Sequence, residues 1–458
     1  MNTLEKKYWG LYMDFLESFG DLEYRGISVS LCTHFYSLIQ SMPYLEESIV
    51  DPSYMEEWKD GSVLQERFEN HLLLGKRGSY RGKVVYYDKL LRIPYSFYKE
   101  LSPLTETILL KPDVTNMRGH PIPGGTLRGL NQYGDAVDGE VRKQLKRFSK
   151  IAGNYKSHPL FGKRHFLKEM KKQMAKIIYF IEASERFLMK EEASLIVLGE
   201  TNSMDTRALT LSARKRGIPS ITLQHGAMIS SFGYLPKVAG YQCVYGKYEQ
   251  SLFEKRGVDR KFVPMIGHPR FDEMKTKAPL HPSQLYKKIK VSPSRKKVLL
   301  IDHHTDKTQT HRIIKLLLKK VPDVELMIKV QKGIRAFDIY AKNKRVHLIK
   351  GIHLYDLFAY VDAVISYEST VVLEALLSGK RTFVWKLNQP GLTNYYSQLP
   401  VTTYQEADQL VHELLPCLSN RNPSNGDRIT EQLYPTFYID STQKSTFLLK
   451  ALIESVRA

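Results

Sequence analysis

Ser194-Leu-Ile-Val-Leu198, Thr206–Arg216 and Ile218-Pro-Ser-Ile-Thr-Leu223 are the stretches whose reading decides the fold. The first is a short apolar run of the kind that forms a buried strand. The second carries helical periodicity, and the third is again an apolar run. Strand, helix and strand in that order make a βαβ unit, because parallel strands need a crossover of this length between them. Tyr241–Val244, Lys247–Arg256 and Phe262–Ile266 repeat the alternation, and a polar, proline-bearing stretch at 278–295 interrupts it. Lys297–Ile301 then opens a second series. It continues through helix His311–Lys320, strands Val324–Lys329 and His347–Ile349, helix Tyr355–Tyr360, strand Ala363–Ser366, helix Thr370–Ser378 and strand Arg381–Trp385.

The expected fold class is therefore α/β, with two Rossmann-like parallel-sheet domains facing a cleft. Residues 1–280 are expected to form an N-terminal, acceptor-side domain with a helical extension, and 281–458 a C-terminal, nucleotide-donor-binding domain. A last helix at Gln443–Val456 is expected to pack back on the first domain. The first 190 residues are α/β with helices at the start. There, aromatic-rich segments such as Gly82–Tyr98 and Thr107–Lys111 mix strand-like pieces with loops, and Met117–Leu130 reads as a glycine- and proline-rich loop.

A length of 458 residues exceeds one hydrophobic core and suits two such domains. No run of eighteen apolar residues and no signal-peptide pattern is present, so a cytoplasmic location is expected. Cys32, Cys243 and Cys417 lie far apart, with the spacing of neither a disulfide framework nor a zinc site. The 68 Lys and Arg against 48 Asp and Glu leave a net charge of +20, which favours an anionic partner. The excess concentrates between Arg142 and Lys176, read as an amphipathic helix with a basic face. That face is either simply solvated, or docks on an anionic membrane surface or guides an anionic polymer.

In open parallel sheets ligands bind beyond the carboxyl ends of the strands, so the residues just after each strand are the candidates. Thr222-Leu-Gln-His-Gly-Ala227 puts His225 at a strand end, flanked by Gln224 and by Gly226, which permits close backbone approach. A neutral imidazole there is a candidate general base, the plain alternative being a hydrogen-bonded loop side chain. Ile266-Gly-His-Pro-Arg-Phe-Asp272 supplies His268 as a rival base and Arg270 as a planar fork for phosphate. In this loop Pro269 is expected to stop a helix from forming immediately, and the alternative is a hinge in which Arg270 and Asp272 pair.

Val364-Ile-Ser-Tyr-Glu-Ser-Thr-Val-Val-Leu-Glu-Ala-Leu-Leu-Ser-Gly-Lys380 brings Ser366, Ser369 and Thr370 to a strand-to-helix junction, with Glu374 one turn on. Hydroxyls and helix-terminal N–H groups there suit a diphosphate, and Glu374 a ribose or sugar; the alternative is that Ser369 is only an N-cap. Asp302-His-His-Thr-Asp306 and His311 invite a metal reading. Consecutive histidines point apart, however, so a polar loop near donor phosphates is expected and no metal. Lys329, ending its strand, adds a cation or is merely solvated.

Taken together, Gln224-His225-Gly226, Gly267-His268-Pro269-Arg270-Phe271-Asp272, Lys329 and Ser366-x-x-Ser369-Thr370-x-x-x-Glu374-Ala375-x-x-x-Gly379-Lys380 resemble the bacterial CDP-glycerol glycerophosphotransferases and related capsular polysaccharide transferases. The resemblance covers about Ser194–Trp385. It implies the GT-B fold, no cofactor and no metal, and transfer of a glycosyl or glycerophosphate group from a CDP- or UDP-linked donor to a polymer or lipid-linked acceptor. It makes His225 the base, Arg270 and Lys329 the diphosphate partners, and Ser369, Thr370 and Glu374 the donor contacts. The family's usual Trp-His-Gly-Thr-Pro and Gly-Tyr-Pro-Arg stand here as Leu223-Gln-His-Gly-Ala227 and Gly267-His-Pro-Arg270, which leaves room for a sugar nucleotide. The opening Glu5-Lys-Lys-Tyr-Trp-Gly-Leu-Tyr-Met-Asp-Phe15 is also similar to spore coat polysaccharide biosynthesis proteins of bacilli. Two other classes stay open: a UDP-N-acetylglucosamine 2-epimerase-like enzyme on the same double plan, and a non-catalytic nucleic-acid or membrane binder. The second explains the charge but not the strand-end residues, and no nucleic acid is expected.

Overall fold

A computed structural model describes residues 1–39, 61–72, 75, 82–101, 106–114, 125–276, 278–302, 307–330, 337–340, 342–387, 393–419 and 429–458. The chain forms two compact units. One holds 1–225, 230–270 and 441–458, the other 226–229 and 271–440. The main passage thus falls at Arg270/Phe271, earlier than the expected boundary at 280/281.

The first unit opens with helix Thr3–Phe19 and a small antiparallel pair, β1 (Glu23–Tyr24) and β2 (Ile27–Ser28). Its sheet contains β3 (Lys83–Tyr87), β4 (Thr107–Lys111), β5 (Gly125–Gly129), β6 (Ala193–Leu198), β7 (Ser220–Leu223) and β8 (Tyr241–Cys243). They lie in the order β5-β4-β3-β6-β7-β8, every pair parallel. Alternate residues sort to opposite faces, as a strand's period of two requires. Val84, Tyr86, Leu195, Val197, Ile221 and Leu223 enter one core cluster, and Val85, Tyr87, Ile108, Leu110, Ile196 and Leu198 another. Helices cover both faces, which a parallel sheet needs because neither face can meet water. Among them is the C-terminal helix Ser445–Arg457, whose Leu449 and Ile453 join the first cluster. Its Arg457 Nη2 donates to the Gly82 carbonyl at 3.0 Å, so the expected return to the first domain is present.

The second unit contains β9 (Lys296–Ile301), β10 (Val324–Lys329), β11 (Val346–Ile349), β12 (Ala363–Tyr367), β13 (Thr382–Trp385) and β14 (Thr403–Tyr404). The order β11-β10-β9-β12-β13-β14, again wholly parallel, repeats that of the first sheet. Val298, Leu300, Leu326, Ile328 and Ile365 face helices Lys307–Lys320 and Ala407–Ser419, while Leu299, Met327 and Val364 face the helices on the other side.

Three expectations differ from the structure. Phe262–Ile266 is not a sheet strand: it holds the end of a 3₁₀ turn, Arg260–Phe262, and a single bridge from Met265 to Val244. Pro264 lacks the N–H a ladder needs. The loop expected at Met117–Leu130 ends in β5, and its residues up to 124 lie outside the described residues. The polar stretch at 278–295 contains helix Pro282–Ile289, with proline at the first position, where its missing N–H costs nothing.

Candidate active site

In both sheets the strand order reverses between the first and fourth strands, β3 and β6 in one unit, β9 and β12 in the other. At such a reversal the loops diverge to opposite faces and leave a crevice at the carboxyl edge. In the first unit, residues 88–92 and 199–203 flank it. The backbones approach so closely that a Cβ on Gly199 would sit 2.4 Å from Leu90 C and from Leu91 N. Leu90 and Arg92 both adopt left-handed conformations, with φ of 57° and 53°. For non-glycine residues these cost on the order of 1–3 kcal/mol each, strain of the kind that collects at functional sites.

Glu200, which follows β6, is spent on the helix that comes next. Its carboxylate accepts from the backbone N–H of Asn202 and Ser203 and from the hydroxyls of Ser203 and Thr206. Lys89 lies 3.9 Å away and pairs more closely with Asp205, at 2.5 Å. These bonds order the turn that leads into helix Met204–Lys215 and fix the crevice wall.

His225 follows β7 and is half-buried. Its Nδ1 lies 3.1 Å from the Gly199 carbonyl. A carbonyl only accepts, so Nδ1 carries the proton and Nε2 holds the lone pair, turned toward the Tyr234 hydroxyl. Nε2 lies 3.4 Å from the Tyr234 hydroxyl, and the two rings stack at 4.9 Å with 13° between planes. Arg92 Nη1 donates to the His225 carbonyl at 3.1 Å. Burial pushes the imidazole down to about 4, so it is neutral across the physiological range. Gln224 beside it is fully buried: its amide donates to Glu249 at 3.0 Å and its oxygen accepts from Tyr245 N at 2.9 Å. It positions the loop and offers a ligand no surface.

His268 and Arg270 share this unit. Pro269 does not delay a helix, as expected from the sequence, but begins Pro269–Thr276, for which its fixed φ is suited. His268 Nδ1 accepts from Arg270 N at 3.2 Å, and the side chain has no exposed surface. Burial and the charge of Arg270 hold it well below the ordinary histidine range. Nδ1 serves the fold. Arg270, 7% exposed, donates from Nη2 to Tyr245 Oη at 2.7 Å.

In the second unit β12 ends in Ser366-Tyr-Glu-Ser369, and helix Thr370–Leu377 follows. Ser366 Oγ donates to the Tyr367 carbonyl at 3.0 Å and lies 3.2 Å from Ser369 Oγ. Ser369 occupies the N-cap position without making a side-chain cap bond. Thr370 Oγ1 accepts from Ala227 N, and Glu374, 8% exposed, lies one turn into the helix. Gly226 belongs to this unit and not with His225. Glu368, passed over in the sequence, is nearly buried, accepts from Leu387 N at 2.9 Å, and is raised by burial. Its signal was its place directly after a buried strand. Lys329 stands apart at the end of β10, where Nζ donates to the Ile352 carbonyl at 2.6 Å. His311 bonds Tyr340 Oη at 3.0 Å, while His303, His304 and Asp306 lie outside the described residues.

The first unit thus brings His225, His268 and Arg270 together, the second Ser366, Ser369 and Thr370. Sequence reading missed Tyr234 and Arg92. No periodic spacing links them to His225: Tyr234 returns to it within the β7–β8 connection, and the sheet order brings in Arg92 from the loop after β3.

The capsule polysaccharide biosynthesis protein family matches residues 273–413. No curated protein matches the chain. Similar solved structures include S. aureus MnaA with UDP, at TM-score 0.54 and 13% identity, covering 82% of this chain and 97% of that one. The wall teichoic acid polymerase TagF soaked with CDPG has TM-score 0.51 and 13% identity, covering 88% and 96%. A UDP-N-acetylglucosamine 2-epimerase from Listeria monocytogenes, so described provisionally, has TM-score 0.53 and 13% identity, covering 82% and 96%. At such identity the likeness is one of fold, and it is the GT-B plan of two Rossmann-like units. This chain is a protein of GT-B architecture whose second unit carries the capsule polysaccharide biosynthesis match.

Proposed function

We propose that the protein is a transferase of bacterial surface polysaccharide synthesis, moving a glycosyl or glycerophosphate group from a CDP- or UDP-linked donor to an acceptor hydroxyl. The observation that carries this reading is the state of His225. It is a neutral imidazole at a strand end, its tautomer fixed by the Gly199 carbonyl, with Nε2 left as the basic atom. Such a group takes the proton of an attacking hydroxyl. The Ser366–Glu374 segment is the donor site in this reading, since hydroxyls and the start of a helix suit a diphosphate and Glu374 suits a sugar hydroxyl. The family match over 273–413 and the ligands of the fold relatives, UDP and CDPG, support a nucleotide donor.

The test is a thermal-shift screen of CDP-glycerol, UDP-sugars and CMP-sugars, followed by calorimetry on Glu374→Ala. One donor class at a hundred times its Kd should stabilise the protein by about 2.7 kcal/mol. Glu374→Ala should weaken that donor while leaving the fold intact. If no class shifts the melt, the reading is overturned. A second reading, epimerisation of UDP-N-acetylglucosamine, follows from the equally good fold match to the epimerases. Incubation with that compound and no acceptor decides between them, since only an epimerase produces a UDP-linked isomer.

A further inference from the structure

The segment 142–176 holds twelve Lys and Arg against one Glu, eleven of the chain's twenty net positive charges. The structure divides it between two helices packed on each other, Asp138–Ala152 and Arg164–Lys190, rather than the single helix expected. All twelve basic residues are exposed. Only Lys143, 3.9 Å from Glu140, and Lys172, 2.6 Å from Glu169, meet a carboxylate among the described residues. The opposite face is sealed, with Phe148, Phe166, Met170, Met174, Ile177 and Ile178 at zero exposure.

An ordinary solvated helix mixes charges of both signs, because like charges at i,i+4 repel. Here Arg164, Lys168, Lys171, Lys172 and Lys176 form a stripe about 18 Å long at a rise of 1.5 Å per residue. Arg142, Lys143, Lys146, Arg147 and Lys150 add a second on the neighbouring helix. Two further features narrow the partner. No large apolar side chain is exposed along 142–176, so nothing is poised to enter a bilayer. No Phe, Tyr or Trp is exposed there either, so nothing offers a platform for bases. What remains is a linear array of cations, complementary to a flexible chain with one anionic group per repeat.

We infer that this two-helix surface binds a linear polyanion, the phosphate- or carboxylate-bearing glycan chain on which the enzyme acts. The substrate identity rests on the transferase reading; the binding itself does not. The surface holds the chain by counterion release, so affinity falls steeply with salt, by about a hundredfold between 50 and 200 mM if five charges are engaged.

The experiment uses the full-length protein and fluorescent long-chain polyphosphate, a linear polyanion with neither bases nor acyl chains. Phosphatidylglycerol vesicles and an oligothymidylate of matched charge are run beside it. A five-site variant (Arg164→Gln, Lys168→Gln, Lys171→Gln, Lys172→Gln, Lys176→Gln) should lose at least about tenfold in polyphosphate affinity, with unchanged circular dichroism and nucleotide affinity. Should that variant unfold, the set Arg142→Gln, Lys146→Gln and Lys150→Gln on the other helix is expected to lose affinity instead. Equal binding by folded variant and wild type overturns the inference. So does vesicle pelleting without polyphosphate binding, which assigns the face to a membrane, or a tenfold preference for oligothymidylate, which assigns it to nucleic acid. Polyphosphate binding in a protein that turns over no nucleotide donor keeps this site and removes the transferase reading; turnover without polyphosphate binding does the reverse.

Discussion

Ala227 N donates to Thr370 Oγ1 at 2.9 Å, a bond between the segment after β7 and the first residue of helix Thr370–Leu377. It does not stand alone. Thr393 Oγ1 donates to the Met228 carbonyl and Thr393 N to the Ile229 carbonyl, both at 2.7 Å. Four residues that directly follow His225 are thereby built into the unit that holds the proposed donor site.

Thr370→Val keeps the shape of the side chain but leaves the buried Ala227 N–H without its acceptor. A loss of about 1–3 kcal/mol is expected, the cost of a buried donor left unsatisfied. Thr370→Ser should restore most of it. Urea unfolding of the three proteins checks this: equal midpoints for the Val and Ser variants would mean the bond does not matter.

Gly199→Ala tests the close approach at the first switch point. The added methyl meets backbone of Leu90 and Leu91, which cannot swing aside as a side chain would. About 1–3 kcal/mol of destabilisation is expected. The Gly199 carbonyl should also shift away from His225 Nδ1, so activity should fall more than stability explains. A variant as stable and as active as the parent contradicts the geometry.

The depressed His225 sets a pH window. Between about 4 and the ordinary 6.5 the unfolded chain binds a proton on this residue and the folded one does not. Stability contributed by His225 is therefore present above 6.5 and is lost as pH falls toward 4. Paired urea series from pH 4 to 8 should show the parent losing more than His225→Gln on acidification. The acid limb of kcat should likewise lie near 4 and not near 6.5.

The second sheet was legible almost strand by strand, because Val298–Ile301, Leu326–Ile328 and Ala363–Ile365 are apolar runs bounded by polar residues. β3 and β5 were not, since the aromatic-rich segment around β3 fits strand and loop equally and β5 begins and ends in glycine. Phe262 and Val263 imitated a strand that Pro264 prevents, and Pro269 was read as a breaker where it starts a helix. At the site, His225 stood out by its strand-end position. Tyr234 and Arg92 did not: one enters through the loop that follows β7 and the other through the loop after β3, far away in sequence, and period or spacing carries no trace of such a meeting.

The central claim is that His225 is the general base, and a single comparison tests it most directly. With the donor identified, kcat and donor Kd are measured for His225→Ala and His268→Ala. His225→Ala should lose about 10²–10⁴-fold in kcat at unchanged donor affinity. His268→Ala, whose ring is buried and committed to backbone, should act chiefly on stability. A folded His268→Ala protein without turnover, beside a His225→Ala protein within about tenfold of the parent, would contradict the claim and pass the role to His268.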